Sequence, residues 1–201
     1  MSYLKSFVNE SLKHTKRHVN LIMNPKKNAA FEQERQLIHF ASKECLDKFS
    51  TGSDNRTTLE LQHSSDTIQF KGTLSDSGYA IIRTKMPPLS IYGHKGFDLS
   101  KFKELEFNVQ STDEHQYYVN IRSDVYFSNA LYQAKLNFKK SNDFQTVKIP
   151  FDAFLKTMKG FELENQSPLD PLNIQTIGIS VIKTPGPFSL QLKKLSAINT
   201  V

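Results

Sequence analysis

From residue 57 onward the chain alternates apolar and polar residues in short runs, each closed by turn chemistry. The runs are TTLELQ (57–62), TIQFKG (67–72), GYAIIRT (78–84), ELEFNVQ (104–110), YYVNIRS (117–123), LYQAKLNF (131–138), TVKIP (146–150), IQTIGISVI (174–182) and FSLQLKKLSAI (188–198). A period of two places successive side chains on opposite faces of a strand. Between the runs, Asp76-Ser77-Gly78, Met86-Pro87-Pro88, Ser141-Asn142-Asp143 and Pro185-Gly186-Pro187 read as turns. Many short, punctuated strands predict an all-β sandwich of the jelly-roll kind.

The alternation also predicts faces. Leu105, Phe107 and Val109 oppose Glu106, Asn108 and Gln110, and Val119 and Ile121 oppose Tyr118, Asn120 and Arg122. Tyr132, Ala134, Leu136 and Phe138 oppose Gln133, Lys135 and Asn137. Were these strands to share one sheet, its outer face would carry amides, a tyrosine and long cations. That is either an ordinary solvated face or a shallow polar surface for a carbohydrate or a protein.

The stretch QTVKIPFDAF (145–154) predicts how one strand ends. Proline has no N–H to give a ladder, so Pro150 closes the strand or lies on an edge. Phe151 and Phe154, three apart, fall on one side of a helical turn folded over the end of the sandwich. Before residue 57, FEQERQ (31–36) reads as a short polar helix or lead-in. Leu37-Ile38-His39-Phe40 reads as a first strand, and KECLDKF (43–49) as two helical turns. Residues 155–173 read as irregular because of SPLDPL.

The first 30 residues differ from the rest. Lys5, Lys13, Lys16, Arg17, Lys26 and Lys27 stand against Glu10 alone, so this arm holds most of the net charge of +6. Leu4, Phe7, Val8, Leu12, Val19 and Ile22 approximate one helical stripe, which Pro25 ends. The expected organisation is therefore a basic amphipathic helical arm over 1–30 and a jelly-roll domain over 31–201. Such an arm suits a mitochondrial targeting segment, a contact with an anionic membrane face, or a docking helix. Nucleic acid is not an expected partner, because only Tyr3 and Phe7 could stack beside the cations.

Catalytic and metal patterns are lacking. No phosphate-binding glycine loop, H-E-x-x-H or G-x-S-x-G occurs, and Cys45 is the single cysteine, leaving no internal disulfide. His14 and His18 sit four apart without a third ligand nearby. Cys45, beside Leu46 and Phe49, reads as a buried structural thiol. Glu162 with Glu164, and Asp113 with Glu114, read as solvated loop charges. The expectation is a protein that is not an enzyme and needs no cofactor or metal.

Several segments in order resemble the complex I intermediate-associated protein 30 family. LIHFASKECLDKFSTGSD (37–54) resembles the family's opening strand, helical turn, aromatic and serine-aspartate; FKGTLSDSGYAIIRT (70–84) its F-x-G-x-L-S segment and following strand. FDLSKFKELEF (97–107), YYVNIR (117–122), the strand-then-"iPF" signature in 145–154, IGISV (177–181) and GPFSLQLKKLSAI (186–198) follow in the expected order. Two departures stand out: Phe49 replaces the usual tryptophan, and Asn55-Arg56 replaces a paired glycine. The resemblance implies a galactose-binding-like jelly roll acting as a non-catalytic assembly factor or chaperone for the membrane arm of respiratory complex I. It implies a mitochondrial location, in the matrix or at the inner membrane, and protein partners among assembly intermediates or other assembly factors. It brings no catalytic residues. The candidate partner contacts are Asn55, Arg56, Tyr118, Asn120, Arg122, Gln133 and Lys135, with the basic arm. The alternative is a carbohydrate-binding module that stacks a sugar on Tyr118 and bonds it through Asn120, Arg122 and Gln133.

Overall fold

A computed structural model describes residues 32–87, 89–90, 93–94, 96–123 and 130–199. The basic arm, with His14 and His18, lies outside the described residues. Strand β1 (Glu34–Ile38) precedes a 3-10 helix at Lys43–Lys48, then β2 (Phe49–Ser53), β3 (Thr58–Ser64), β4 (Thr67–Leu74) and β5 (Tyr79–Thr84). A small ribbon of β6 (Leu89–Ser90) and β7 (Gly93–His94) leads to β8 (Glu104–Ser111), β9 (Tyr117–Arg122), β10 (Ala130–Leu136) and β11 (Ser141–Pro150). After a 3-10 turn at Phe151–Ala153 come β12 (Leu155–Met158), β13 (Phe161–Glu162), β14 (Thr176–Ile182) and β15 (Gly186–Ile198).

Two antiparallel sheets face each other. One runs β11-β8-β15-β4-β3, with β1 beside the second half of β15; the other runs β13-β12-β10-β9-β14-β5-β2. This is the expected all-β jelly-roll sandwich. Alternation produces the core: Leu105, Phe107 and Val109 from one sheet meet Val119, Ile121 and Val181 from the other, all with 0% exposure. Removing such apolar surface from water is the main favourable contribution to folding.

β15 organises the first sheet. It pairs with β8 along one edge, with β4 through Leu192 on the other edge, and then with β1 from Leu195 to Ile198. A register shift between Leu192 and Lys194 bends the strand where its neighbour changes. There Lys194 bridges Glu106 at 2.7 Å and Glu34 at 2.8 Å on the outer face.

Pro150 is the last residue of β11, an edge strand, as its missing N–H requires. Phe151 and Phe154 fold inward and join the core. Phe49, in the tryptophan's place, is buried and stacks on Phe40 with ring centroids 6.3 Å apart. Cys45 is buried, and desolvation holds its thiol above the usual range.

Other expectations need correction. FEQERQ is not helical: its second half opens β1, because Glu34 to Ile38 can pair with the C-terminal half of β15. The two helical turns expected over KECLDKF are present as a 3-10 helix at Lys43–Lys48, with Phe49 already opening β2. Ser141-Asn142-Asp143 lies within β11, at a register shift between Ser141 and Gln145. Residues 155–173 contain a hairpin, β12–β13, with Lys159 and Gly160 at φ 53° and 81°. Positive φ at both turn positions is the tight two-residue hairpin geometry that glycine facilitates. Finally, β8 belongs to one sheet and β9 and β10 to the other, so Glu106, Asn108 and Gln110 lie on the opposite outer surface from Tyr118.

Candidate functional site

The seven-stranded sheet presents its outer face through alternate residues of β9, β10, β12, β14, β5 and β2. One row crosses six strands: Leu155, Gln133, Asn120, Gly178, Arg83 and Ser50 pair successively. The next row contains Lys135, Tyr118, Ser180, Ile81 and Gly52. These positions are set by the strands whose other faces hold Val119, Ile121 and Ile179 in the core.

A hydrogen-bonded chain of amides crosses this floor. Gln133 Nε2 donates to Asn120 Oδ1 at 2.8 Å, and Asn120 Nδ2 donates to Ser180 Oγ at 2.8 Å. Asn120 also donates to the Tyr118 carbonyl at 3.3 Å. Although on the outer face, Asn120 is only 5% exposed and Ser180 6%. Polar groups this buried are stable because they are paired, and the pairing fixes their rotamers.

Gly178 is buried between its register partners Asn120 and Arg83. A Cβ there would sit 2.6 Å from the Ile82 carbonyl oxygen and 2.9 Å from Arg83 Cβ, so close strand approach requires glycine. Beside the floor lies a groove of about 540 Å³, lined by Tyr118, Gln133, Lys135, Pro150, Leu155 and Glu162 among others. The β12–β13 hairpin forms one wall of it through Leu155, Thr157, Gly160 and Glu162, and Leu155 is 44%, Met158 45% and Phe161 75% exposed. By alternation Leu155 shares the groove face with Thr157 and Glu162, whereas Met158 and Phe161, a register pair, lie on the hairpin's other face.

The fold therefore brings together Tyr118, Asn120, Gln133 and Lys135. Arg122 is on the same face one row further along, opposite Thr176, and does not line the groove. Asn55 and Arg56 are exposed in the turn between β2 and β3, at the other edge of the sheet. With β9 three strands from β2, they stand about 14 Å to the side at a usual strand spacing. That turn is tied down by its neighbour Asp54. The nearby Thr57 hydroxyl, the Ser75 hydroxyl that donates to its carboxylate at 3.0 Å, and the donating amides of Arg56 and Tyr79 lower its pKa to about 2.

Sequence reading missed Ser180 and the hairpin residues Leu155, Met158 and Phe161. The signal for the hairpin was Lys159-Gly160 between an alternating LKTM and FE. It also misplaced Asp113, which is no solvated loop charge. Asp113 accepts from the Tyr117 hydroxyl at 2.8 Å and the Ser189 amide at 2.7 Å. Glu162 does line the groove. Among the described residues, no three His, Cys, Asp or Glu side chains are grouped to hold a metal ion. No described helix is long and apolar enough to cross a membrane. The site offers amide and hydroxyl donors and acceptors, a cation at Lys135 and an apolar wall at Leu155.

Two packed sheets with a shallow polar outer face define a jelly-roll of the type found in carbohydrate-binding modules. The family 11 carbohydrate-binding module from Clostridium thermocellum, solved in complex with a mixed-linked tetrasaccharide, superposes with a TM-score of 0.63 at 15% identity, covering 84% of this chain and 97% of that one. An agarase superposes with a TM-score of 0.61 at 14% identity, covering 85% of this chain and 25% of that one. At such identities the likeness extends to the fold alone.

Sequence similarity is more specific. The complex I intermediate-associated protein 30 profile matches residues 38–192, and the chain belongs to that family. "Complex I intermediate-associated protein 30, mitochondrial" of Neurospora crassa is 32% identical over 127 residues, covering 63% of this chain and 45% of the relative. The mouse protein of the same name is 27% identical over 220 residues, covering 96% of this chain and 67% of the relative. The chain thus spans less than half the length of the fungal relative.

Proposed function

We propose that this protein is a non-catalytic assembly factor for mitochondrial respiratory complex I that works by holding assembly intermediates. The observation that carries this reading is the family match across residues 38–192. The site supports it chemically: Asn120, Gln133 and Ser180 form a paired polar floor, Leu155 offers apolar contact in the groove, and Met158 and Phe161 offer more on the hairpin's other face. Such a surface is suited to recognition, and no acid–base pair is needed for it. Tyr118, Gln133 and Lys135 contact the client at the groove, with Arg122 beside them. Asn55 and Arg56 make a separate contact at the far edge. The arm bearing Lys5, Lys13, Lys16, Arg17, Lys26 and Lys27 directs the chain to the matrix and touches the anionic inner membrane.

The test is deletion in the native host, with complex I followed on native gels and the tagged protein followed by fractionation. Loss of mature complex I, with the tagged protein bound to membrane-arm intermediates, is the expected result. Normal complex I, or a protein outside mitochondria, overturns the reading.

Carbohydrate binding is the second reading, favoured by Tyr118 at the groove beside the fixed amides of Asn120 and Gln133. A glycan titration followed by tyrosine fluorescence tests it. Saturable quenching that Tyr118→Ala abolishes supports a sugar site, and unchanged fluorescence across a glycan panel removes it.

A further inference from the structure

The groove beside the polar floor is walled by strand edges. β11 is the terminal strand of its sheet and, among the described residues, pairs with β8 alone. Four consecutive β11 residues, Val147 to Pro150, line the groove. A strand that offers its face contributes alternate residues, whereas one that offers its edge contributes consecutive ones. The opposite wall is equally revealing. β12 covers β10 only from Ala130 to Gln133, and beyond that point Ala134 and Lys135 line the same groove.

The open part of β11 has defined ends. At its start the Gln145 side chain accepts from the Lys139 amide at 3.0 Å and donates to the Lys139 carbonyl at 2.6 Å, closing the connection from β10. At its finish Pro150 has no N–H to offer. Residues 146–149 remain, about 13 Å of edge at a usual rise per residue. An edge requires main-chain hydrogen bonds from whatever covers it, which an extended polypeptide supplies.

Charge narrows the occupant. Lys135 and Lys148 both line the groove against Glu162. Lys135 makes no ion pair among the described residues, and Lys148 has only Glu106 at 4.0 Å. A second copy of β11 would bring lysine toward lysine, the device by which edges resist self-pairing. An acidic strand meets no such repulsion.

We infer that residues 146–149 of β11 are a docking edge for an extended segment of a partner polypeptide carrying acidic residues among apolar ones. This rests on the client-binding reading and specifies the form in which a client is held. The partner strand adds antiparallel or parallel to β11. Its acidic side chains meet Lys135 and Lys148, and its apolar residues meet Leu155.

The probe is the acetylated, amidated peptide Thr-Val-Glu-Val-Glu-Ile-Thr, titrated into the full chain with amide chemical shifts and hydrogen exchange recorded. Two companion peptides carry lysine for glutamate, or N-methyl groups on both valines with all side chains kept. The acidic peptide is expected to bind and to slow exchange at residues 146–149. Each companion is expected to bind about tenfold more weakly or worse. The exposed double variant K135E/K148E should reverse the preference between acidic and lysine peptides. Equal binding of all three peptides, or no response at residues 146–149, overturns the inference. Complex I lost on deletion without peptide binding rejects this edge alone; peptide binding with normal complex I rejects the assembly reading alone.

Discussion

The Tyr117 phenol is buried in the core and donates to Asp113 Oδ2 at 2.8 Å. The same oxygen accepts from the Ser189 amide at 2.7 Å, and Asp113 Oδ1 accepts from the His115 amide at 2.9 Å. One carboxylate thus binds the loop before β9, the start of β9 and the first half of β15.

Burial, and next the neighbouring Asp113 carboxylate, push the Tyr117 phenol well above the ordinary tyrosine range. A group whose folded pKa is raised contributes stability that is fully present below its unfolded value, about pH 10, and lost as pH rises above it. Spectrophotometric titration should therefore show one of the seven tyrosines ionising only as the chain unfolds in alkali. Tyr117→Phe should remove that late step and cost about 1–3 kcal/mol in urea unfolding.

Asp54 has the opposite sign. Its pKa is lowered to about 2 by the Thr57 hydroxyl first, and by Ser75 and the Arg56 and Tyr79 amides. Its contribution is present above the unfolded carboxyl value, about 3.9, and is lost as pH falls toward 2. Asp54→Asn should flatten the acid limb of the stability profile in that window. An unchanged acid limb would show that the carboxylate does not anchor this turn.

Asn120→Leu tests the polar floor. It strands Ser180 and Gln133, whose amide partner is lost at a nearly buried position. A loss of about 1–3 kcal/mol is expected by denaturant titration, with the fold retained. Client recovery should fall as well, because the Gln133 rotamer is no longer held.

Phe161→Ser separates stability from recognition. The ring is 75% exposed, so unfolding should shift by no more than about 0.5 kcal/mol. Recovery of complex I intermediates from gently solubilised mitochondria should nonetheless drop. Unchanged recovery would remove the hairpin from the contact surface.

The nine alternating runs correspond to β3, β4, β5, β8, β9, β10, β11, β14 and β15 because each buries one face on the core. Inward and outward residues were legible for the same reason. β2 was not, since FSTGS has no apolar alternation and is held by pairing with β5. β1 was displaced because its Glu34-Arg35-Gln36 start has no core face to announce it. Alternation specifies a face but not a sheet, so nothing local told β8 from β9, or set Asn55-Arg56 apart from Tyr118. The amides of the floor were legible as a surface. The groove was not, because it arises where two strands consecutive in the chain, β10 and β11, part into different sheets.

β15, the strand around which the six-stranded sheet is arranged, is the last of the fifteen strands among the described residues. A chain that emerges from a ribosome or a translocation channel N-terminus first has β1, β4 and β8 present while their common neighbour is still missing. Glu34 waits for Ile198 across nearly the whole domain. Pairing around β15 therefore joins distant parts of the described chain, the long-range kind of contact that forms slowly in folding.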